Sequence, residues 1–175
     1  MNVLEGYIVK PLPNDVWLKD RERAWHVVLP QSYKDFLKKY NGLFPNRYLS
    51  FCEEFFALDR FLALIDPFDL DDYGGINCCD IDVTLSQIGT RLIENPNARG
   101  WELLPIAVAF AGNFVCLDYR VDKENPSVCL WLHEESGDFE PTTTYVADSF
   151  EEFLDMLNRE NQGESEYGER KLVQF

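Results

Sequence analysis

Histidines and recognisable catalytic motifs are scarce in this 175-residue chain, whereas carboxylates are abundant. Histidine occurs only as His26 and His133, and no GxSxG, HExxH or paired CxxC pattern is present. Nucleophilic or zinc-dependent catalysis therefore has no recognisable motif. Cys78 and Cys79 are adjacent, a spacing that serves one tetrahedral metal poorly unless further ligands arrive from elsewhere. His133 precedes Glu134 and Glu135 and reads as a solvated strand end. Because Asp and Glu total 31, no single carboxylate pair stands out as a general acid and base. No catalytic residue, metal ligand or cofactor is expected.

The carboxylates are unevenly placed. Asp66, Asp69, Asp71, Asp72, Asp80 and Asp82 lie in a stretch without Lys or Arg, and a second acidic stretch, Asp148 to Glu169, is opposed only by Arg159. With 16 Lys and Arg in all, the formal charge is −15, which repels phosphate backbones and attracts basic partners. Direct nucleic-acid binding is not expected. A negative surface also favours solubility by itself. Counting from Asp69 as position one, Asp71, Gly74, Ile76, Asn77 and Asp80 partly match the pattern of a calcium-binding EF-hand loop. Tyr73 replaces an oxygen ligand there, Asp80 is shorter than the usual Glu, and Pro67 interrupts the incoming helix. An acidic surface loop is the better reading.

The elements that must carry these residues follow an α+β order. Asn14 caps a segment from Asp15 to His26 that is helical despite imperfect periodicity. In "LPQSYKDFLKKYNG", Tyr33, Phe36, Leu37 and Tyr40 form one helical stripe, Pro30 suits the first turn, and Asn41-Gly42 suits the exit. Tyr48 to Phe51 and Phe56 to Ile65 read as strands, the second with a helical alternative at its start; the Pro-, Gly- and Asp-rich "DPFDLDDYGGINCCD" is a long loop. Leu85, Ile88, Leu92 and Ile93 predict a helix from Asp82 to Asn95, ended by Pro96. Leu103 to Phe110, the turn Ala111-Gly112-Asn113 and Phe114 to Tyr119 form a hairpin, with Val128 to His133 as a third antiparallel strand and Thr142 to Val146 as an edge. Ser149 and Glu152 make a capping box before the stripe Phe150, Phe153, Leu154 and Leu157.

At 46% hydrophobic residues the chain can bury a sizeable core, and its length suits a single domain over residues 1–160, followed by a polar tail, 161–175, whose Leu172, Val173 and Phe175 could dock. The start, Met1-Asn2-Val3-Leu4-Glu5, lacks the basic and apolar regions of a secretory signal, and Asp or Glu interrupts every apolar run before it could span a bilayer. Cys52, Cys78, Cys79, Cys116 and Cys129 are odd in number and lack framework spacing, so free thiols and a cytoplasmic setting are expected.

The ordered segments "LPQSYKDFLKKYNG", "LPIAVAFAGNFVCLDY", "SVCLWLHEE" and "VADSFEEFLDML" resemble the SUKH superfamily, which contains fungal cell-wall-assembly regulators and many bacterial immunity proteins. The resemblance spans Leu29 to Leu157. It maps Leu29-Pro30, Tyr33, Phe36-Leu37, Asn41-Gly42, Gly112-Asn113, Asp118, Ser149-Phe150 and Phe153-Leu154 onto family pattern positions that mostly determine the fold. Departures are Leu43-Phe44 where a second Gly is common, Phe110-Ala111 where a more polar lead is common, and residues 1–28, which are less typical.

The resemblance implies a non-enzymatic binding domain with a mostly antiparallel sheet packed against helices. Its function would be that of an immunity protein, or antitoxin, neutralising a polymorphic toxin such as a nuclease by direct binding. A regulatory or scaffold protein akin to the cell-wall-assembly regulators is the alternative. On the first reading Asp66, Asp69, Asp71, Asp72, Asp80 and Asp82 would form the partner-binding surface, set against their ordinary reading as a solvated loop. No membrane partner is expected.

Overall fold

Strand pairing, more than helix packing, organises the chain. The computed structural model describes residues 4–53, 55–66 and 76–162. The elements are β1 (Gly6–Tyr7), α1 (Asp15–Trp25), α2 (Gln31–Tyr40), β2 (Phe44–Pro45), β3 (Leu49–Phe51), β4 (Phe56–Phe61), α3 (Ile81–Ile88), β5 (Leu103–Ala109), β6 (Phe114–Asp118), β7 (Ser127–Trp131), β8 (Thr143–Ala147) and α4 (Phe150–Glu160). Strands β3 to β8 form one sheet in chain order, antiparallel throughout, and β1 pairs with β2 in a small second sheet. The result is the expected α+β single domain. Helix α4 contacts both β3 and β8, the two edges of the larger sheet, so the sheet curls around it.

Local signals set most helix ends. The Asn14 side chain accepts a hydrogen bond from the Trp17 N–H at 2.9 Å, and α1 stops where His26 turns left-handed at φ 54°. Along α2, Tyr33, Phe36 and Leu37 are buried. Phe36 stands 4.5 Å from Phe61 and 5.3 Å from Phe150, and Tyr33 stands 4.9 Å from Phe150, so the stripe joins α2 to β4 and α4. Pro30 lies at the cap, just ahead of the first helical residue.

After α2 the chain makes a contact that helical spacing does not announce. Asn41 is wholly buried, and its side-chain amide donates to the Leu64 carbonyl at 2.9 Å while accepting from the Leu64 N–H at 2.8 Å. One side chain thus replaces a missing strand partner. Gly42 follows at φ +58°, where a Cβ would stand 2.7 Å from the Ala63 Cβ. Asn161 repeats the device at the sheet edge: its amide accepts from the Ser50 N–H at 2.9 Å and donates to the Ser50 carbonyl at 2.7 Å.

Two expectations need correction. The helix expected from Asp82 to Asn95 ends at Ile88, and a 3-10 turn, Gly89–Arg91, follows. The Trp131 indole N–H takes the Arg91 carbonyl at 2.9 Å, the Arg91 guanidinium binds the His133 and Ser136 carbonyls, and a Cβ at Gly89 would stand 2.9 Å from Trp101. Tertiary bonds draw this segment out of the helix even though Leu92 remains buried. The strand expected to reach Ile65 ends at Phe61, with Ala63 continuing as a parallel bridge to Asp80. Its start is strand, not helix. The tail residues Leu172, Val173 and Phe175 lie outside the described residues.

Candidate partner-binding surface

Two aspartates of the acidic run, Asp80 and Asp82, hold the fold. Asp80 is only 3% exposed. It caps α3: one carboxylate oxygen accepts from the Val83 N–H and the other from the Ile65 N–H, both at 2.9 Å. Burial pushes its pKa above the ordinary aspartate value, against the lowering effect of those two bonds. Nearby, the Ala63 N–H donates to the Cys79 carbonyl and the Ile81 N–H to the Ala63 carbonyl. Ala63 and Ile65 are therefore clamped to Cys79, Asp80 and Ile81.

Asp82 works one turn further on. Its Oδ1 accepts from the Trp25 indole at 2.6 Å and its Oδ2 from Arg21 at 2.5 Å, latching α3 to α1. Its charge already faces a guanidinium, although its side chain is 40% exposed. Of the six aspartates expected to share a surface, Asp80 and Asp82 thus have structural partners. Asp66 is partly exposed at the base of the segment. Asp69, Asp71 and Asp72 lie outside the described residues, as does most of the calcium-like pattern. Asp80, its last position, is taken as a cap. Among the described residues no group of three or more His, Cys, Asp or Glu is placed to hold a metal.

Among the described residues, the second acidic stretch runs from the approach to α4 along that helix. The Ser149 hydroxyl accepts from the Glu152 N–H at 3.2 Å, and the Glu152 carboxylate accepts from the Asp148 N–H at 2.7 Å, one residue before the expected partner. Tyr145 donates to Asp148 at 2.6 Å, which holds its phenol up at about 12. Glu151 and Asp155 are exposed beside them. Several cations are meanwhile engaged internally: Lys34 with Glu22, Arg60 with Asp59, and Arg120 with Asp118 and Glu94. Those ion pairs occupy part of the chain's positive charge within the fold.

The cysteines and histidines complete the candidates for chemistry. All five cysteines are free thiols. Burial pushes Cys79 up to about 12 and raises Cys52, Cys116 and Cys129 as well, away from the thiolate a nucleophile needs. His133 packs on Trp131 beside Arg91, and His26 ends α1.

Sequence reasoning missed Arg21, Trp25 and Ile65 as partners of the acidic run. Only one signal was available: an Asp just before the apolar start of α3 is a cap signature. Among the described residues no helix is long and apolar enough to cross a membrane. No curated protein and no solved structure matches the chain. The model of one family, SMI1 / KNR4 (SUKH-1), matches residues 13–156.

Proposed function

The chain belongs to the SMI1/KNR4 family (SUKH-1), and from that premise we propose that it is a non-enzymatic immunity protein that binds and neutralises a toxin whose active cleft is basic, a nuclease foremost. The observation that carries the reading is a charge of −15 combined with an aspartate-bearing segment whose ends are clamped at Ala63 to Ile65 and Cys79 to Ile81. A loop on a rigid base can present charge to a partner at low ordering cost. A nuclease cleft that holds phosphates must be cationic. Carboxylates from Asp66, Asp69, Asp71 and Asp72 would occupy it, speed encounter by steering and exclude substrate without any chemical step. Asp82 would contribute at the margin of this surface. The five free thiols support a cytoplasmic setting.

The test is co-expression with the product of the neighbouring reading frame, followed by purification of any complex. Loss of that product's toxicity together with a stable complex is the expected result. A partner with no toxicity would instead favour the regulatory reading that other family members exemplify, and would overturn the immunity role.

A further inference from the structure

The end of the larger sheet opposite the Ala63–Asp80 bridge carries two exposed aromatic rings, one of which, Phe55, meets Phe56 edge-on at 5.1 Å. Phe55, at the β3–β4 turn, is 81% exposed, and Phe110, at the β5–β6 turn, is 77% exposed. Strand register brings them together. Leu58 pairs with Ala109, so counting outward sets Phe55 level with Gly112. Phe114 pairs with Trp131, which sets Gly112 level with His133, and a Cβ on Gly112 would indeed stand 3.6 Å from that imidazole. The two turns are two strand spacings apart, about 10 Å.

Three non-glycine residues in these turns, Cys52, Glu53 and Ala111, hold left-handed backbone at φ 55°, 58° and 64°. Turn chemistry favours Gly, Asn or Asp at such positions and gives no reason for a phenylalanine beside them. Between the β3–β4 turn and α4 an open cleft of about 520 Å³ is lined by Cys52, Glu53, Met156, Arg159 and Glu160. Glu53, Glu134 and Glu135 are exposed along the same end of the sheet.

We propose that this sheet end is a docking face for a partner protein presenting apolar side chains flanked by Lys or Arg, with Phe55 and Phe110 as its anchors. The inference rests on the protein-binding reading above and assigns it a second face. The choice of occupant follows from charge. A second copy of this chain would bring another −15 and another set of glutamates against the same rim, whereas a basic partner satisfies both rings and carboxylates. Two aromatic rings bury roughly 300 to 500 Å² when covered, about half of one partner's share of a standard interface, with the cleft and the acidic rim to supply the remainder.

The probe is a short synthetic peptide alternating arginine and leucine, titrated into the full-length isotope-labelled protein and followed by amide chemical shifts. Saturable shifts at Cys52, Phe55 and Phe110 to Asn113 are expected, and a glutamate-for-arginine version of the peptide should leave them unmoved. Phe55→Ser with Phe110→Ser should weaken the peptide about tenfold or more while the melting temperature holds, because both rings are exposed. Shifts confined to Asp66 and the residues after it, or unchanged affinity in the double variant, would overturn this face and leave the protein-binding reading standing. Self-association abolished by the same double variant would replace the basic partner with a second copy and also overturn the assignment. Failure of the co-expression test alongside peptide docking here would instead remove the immunity role and leave the face.

Discussion

Replacing Asn41 by Ala should cost about 2 to 6 kcal/mol of stability, a large share of the roughly 5 to 15 kcal/mol available to a domain of this kind. The figure comes from the two hydrogen bonds that the buried amide makes to Leu64. Removing it strands one N–H and one carbonyl away from water, at about 1 to 3 kcal/mol each, with the lower end applying if water enters the vacated space. Urea unfolding monitored by tryptophan fluorescence measures the loss as a lower midpoint at unchanged slope. Asn41→Asp is the sharper variant. It keeps an acceptor for the Leu64 N–H but sets a carboxylate oxygen against the Leu64 carbonyl, and burial raises its folded pKa above the unfolded value. A group so raised contributes its stability below the unfolded pKa and loses it as pH rises through the folded one. The Asp variant should therefore approach wild type in acid, where a neutral carboxyl can donate to the carbonyl, and fall behind it near neutrality. A loss below about 1 kcal/mol for Asn41→Ala, or an Asp variant whose deficit is independent of pH, would refute the reasoning.

The remaining predictions follow from the other tertiary bonds. Asp82→Ala should destabilise more than Arg21→Ala by about 1 kcal/mol or more, because it also strands the indole N–H of Trp25; equal losses in chemical denaturation would show that the indole bond carries nothing. The advantage of wild type over Asp80→Asn should shrink as pH rises above the unfolded aspartate value and through the raised pKa of Asp80, and stability curves from about pH 4 to pH 7 would reveal a difference of the opposite sign. Asn161→Ala should cost about 1 to 3 kcal/mol and open the β3 edge to self-association, so a variant that remains as monomeric as wild type in sedimentation would count against the edge role. Reversing charge at Asp69, Asp71 and Asp72 together should slow association with a basic partner and flatten its salt dependence. An unaltered rate at low salt would remove that segment from the interface.

Local pattern was enough for the elements, since caps, stripes and alternation depend on neighbours a few residues away. The stripe Tyr33, Phe36 and Leu37, the caps Asn14 and Ser149, and the hairpin across Ala111-Gly112 could be read from spacing, and the structure has them. Where spacing failed, a distant group had intervened: apolar periodicity continues to Leu92, but the Trp131 indole and the carbonyls of His133 and Ser136 engage Arg91 and end α3 at Ile88. β7 likewise alternates in sequence, yet Val128, Cys129, Leu130 and Trp131 are all buried between neighbouring strands and α4.

By itself, then, the sequence determined the α+β order, the acidic excess and the caps of α1 and α4, all of which follow from residue type and short-range spacing. Only the tertiary structure decided which carboxylates are buried as part of the fold. Asp80 and Asp66 are the same residue type, yet one is buried under the Val83 and Ile65 amides while the other is partly exposed. Asn41 and Asn161 read as a helix exit and a tail residue until the fold brings Leu64 and Ser50 within 3 Å of their amides. The physical reason is that a hydrogen bond depends on distance in space, and periodicity along the chain carries no record of which distant backbone group will be left without a partner.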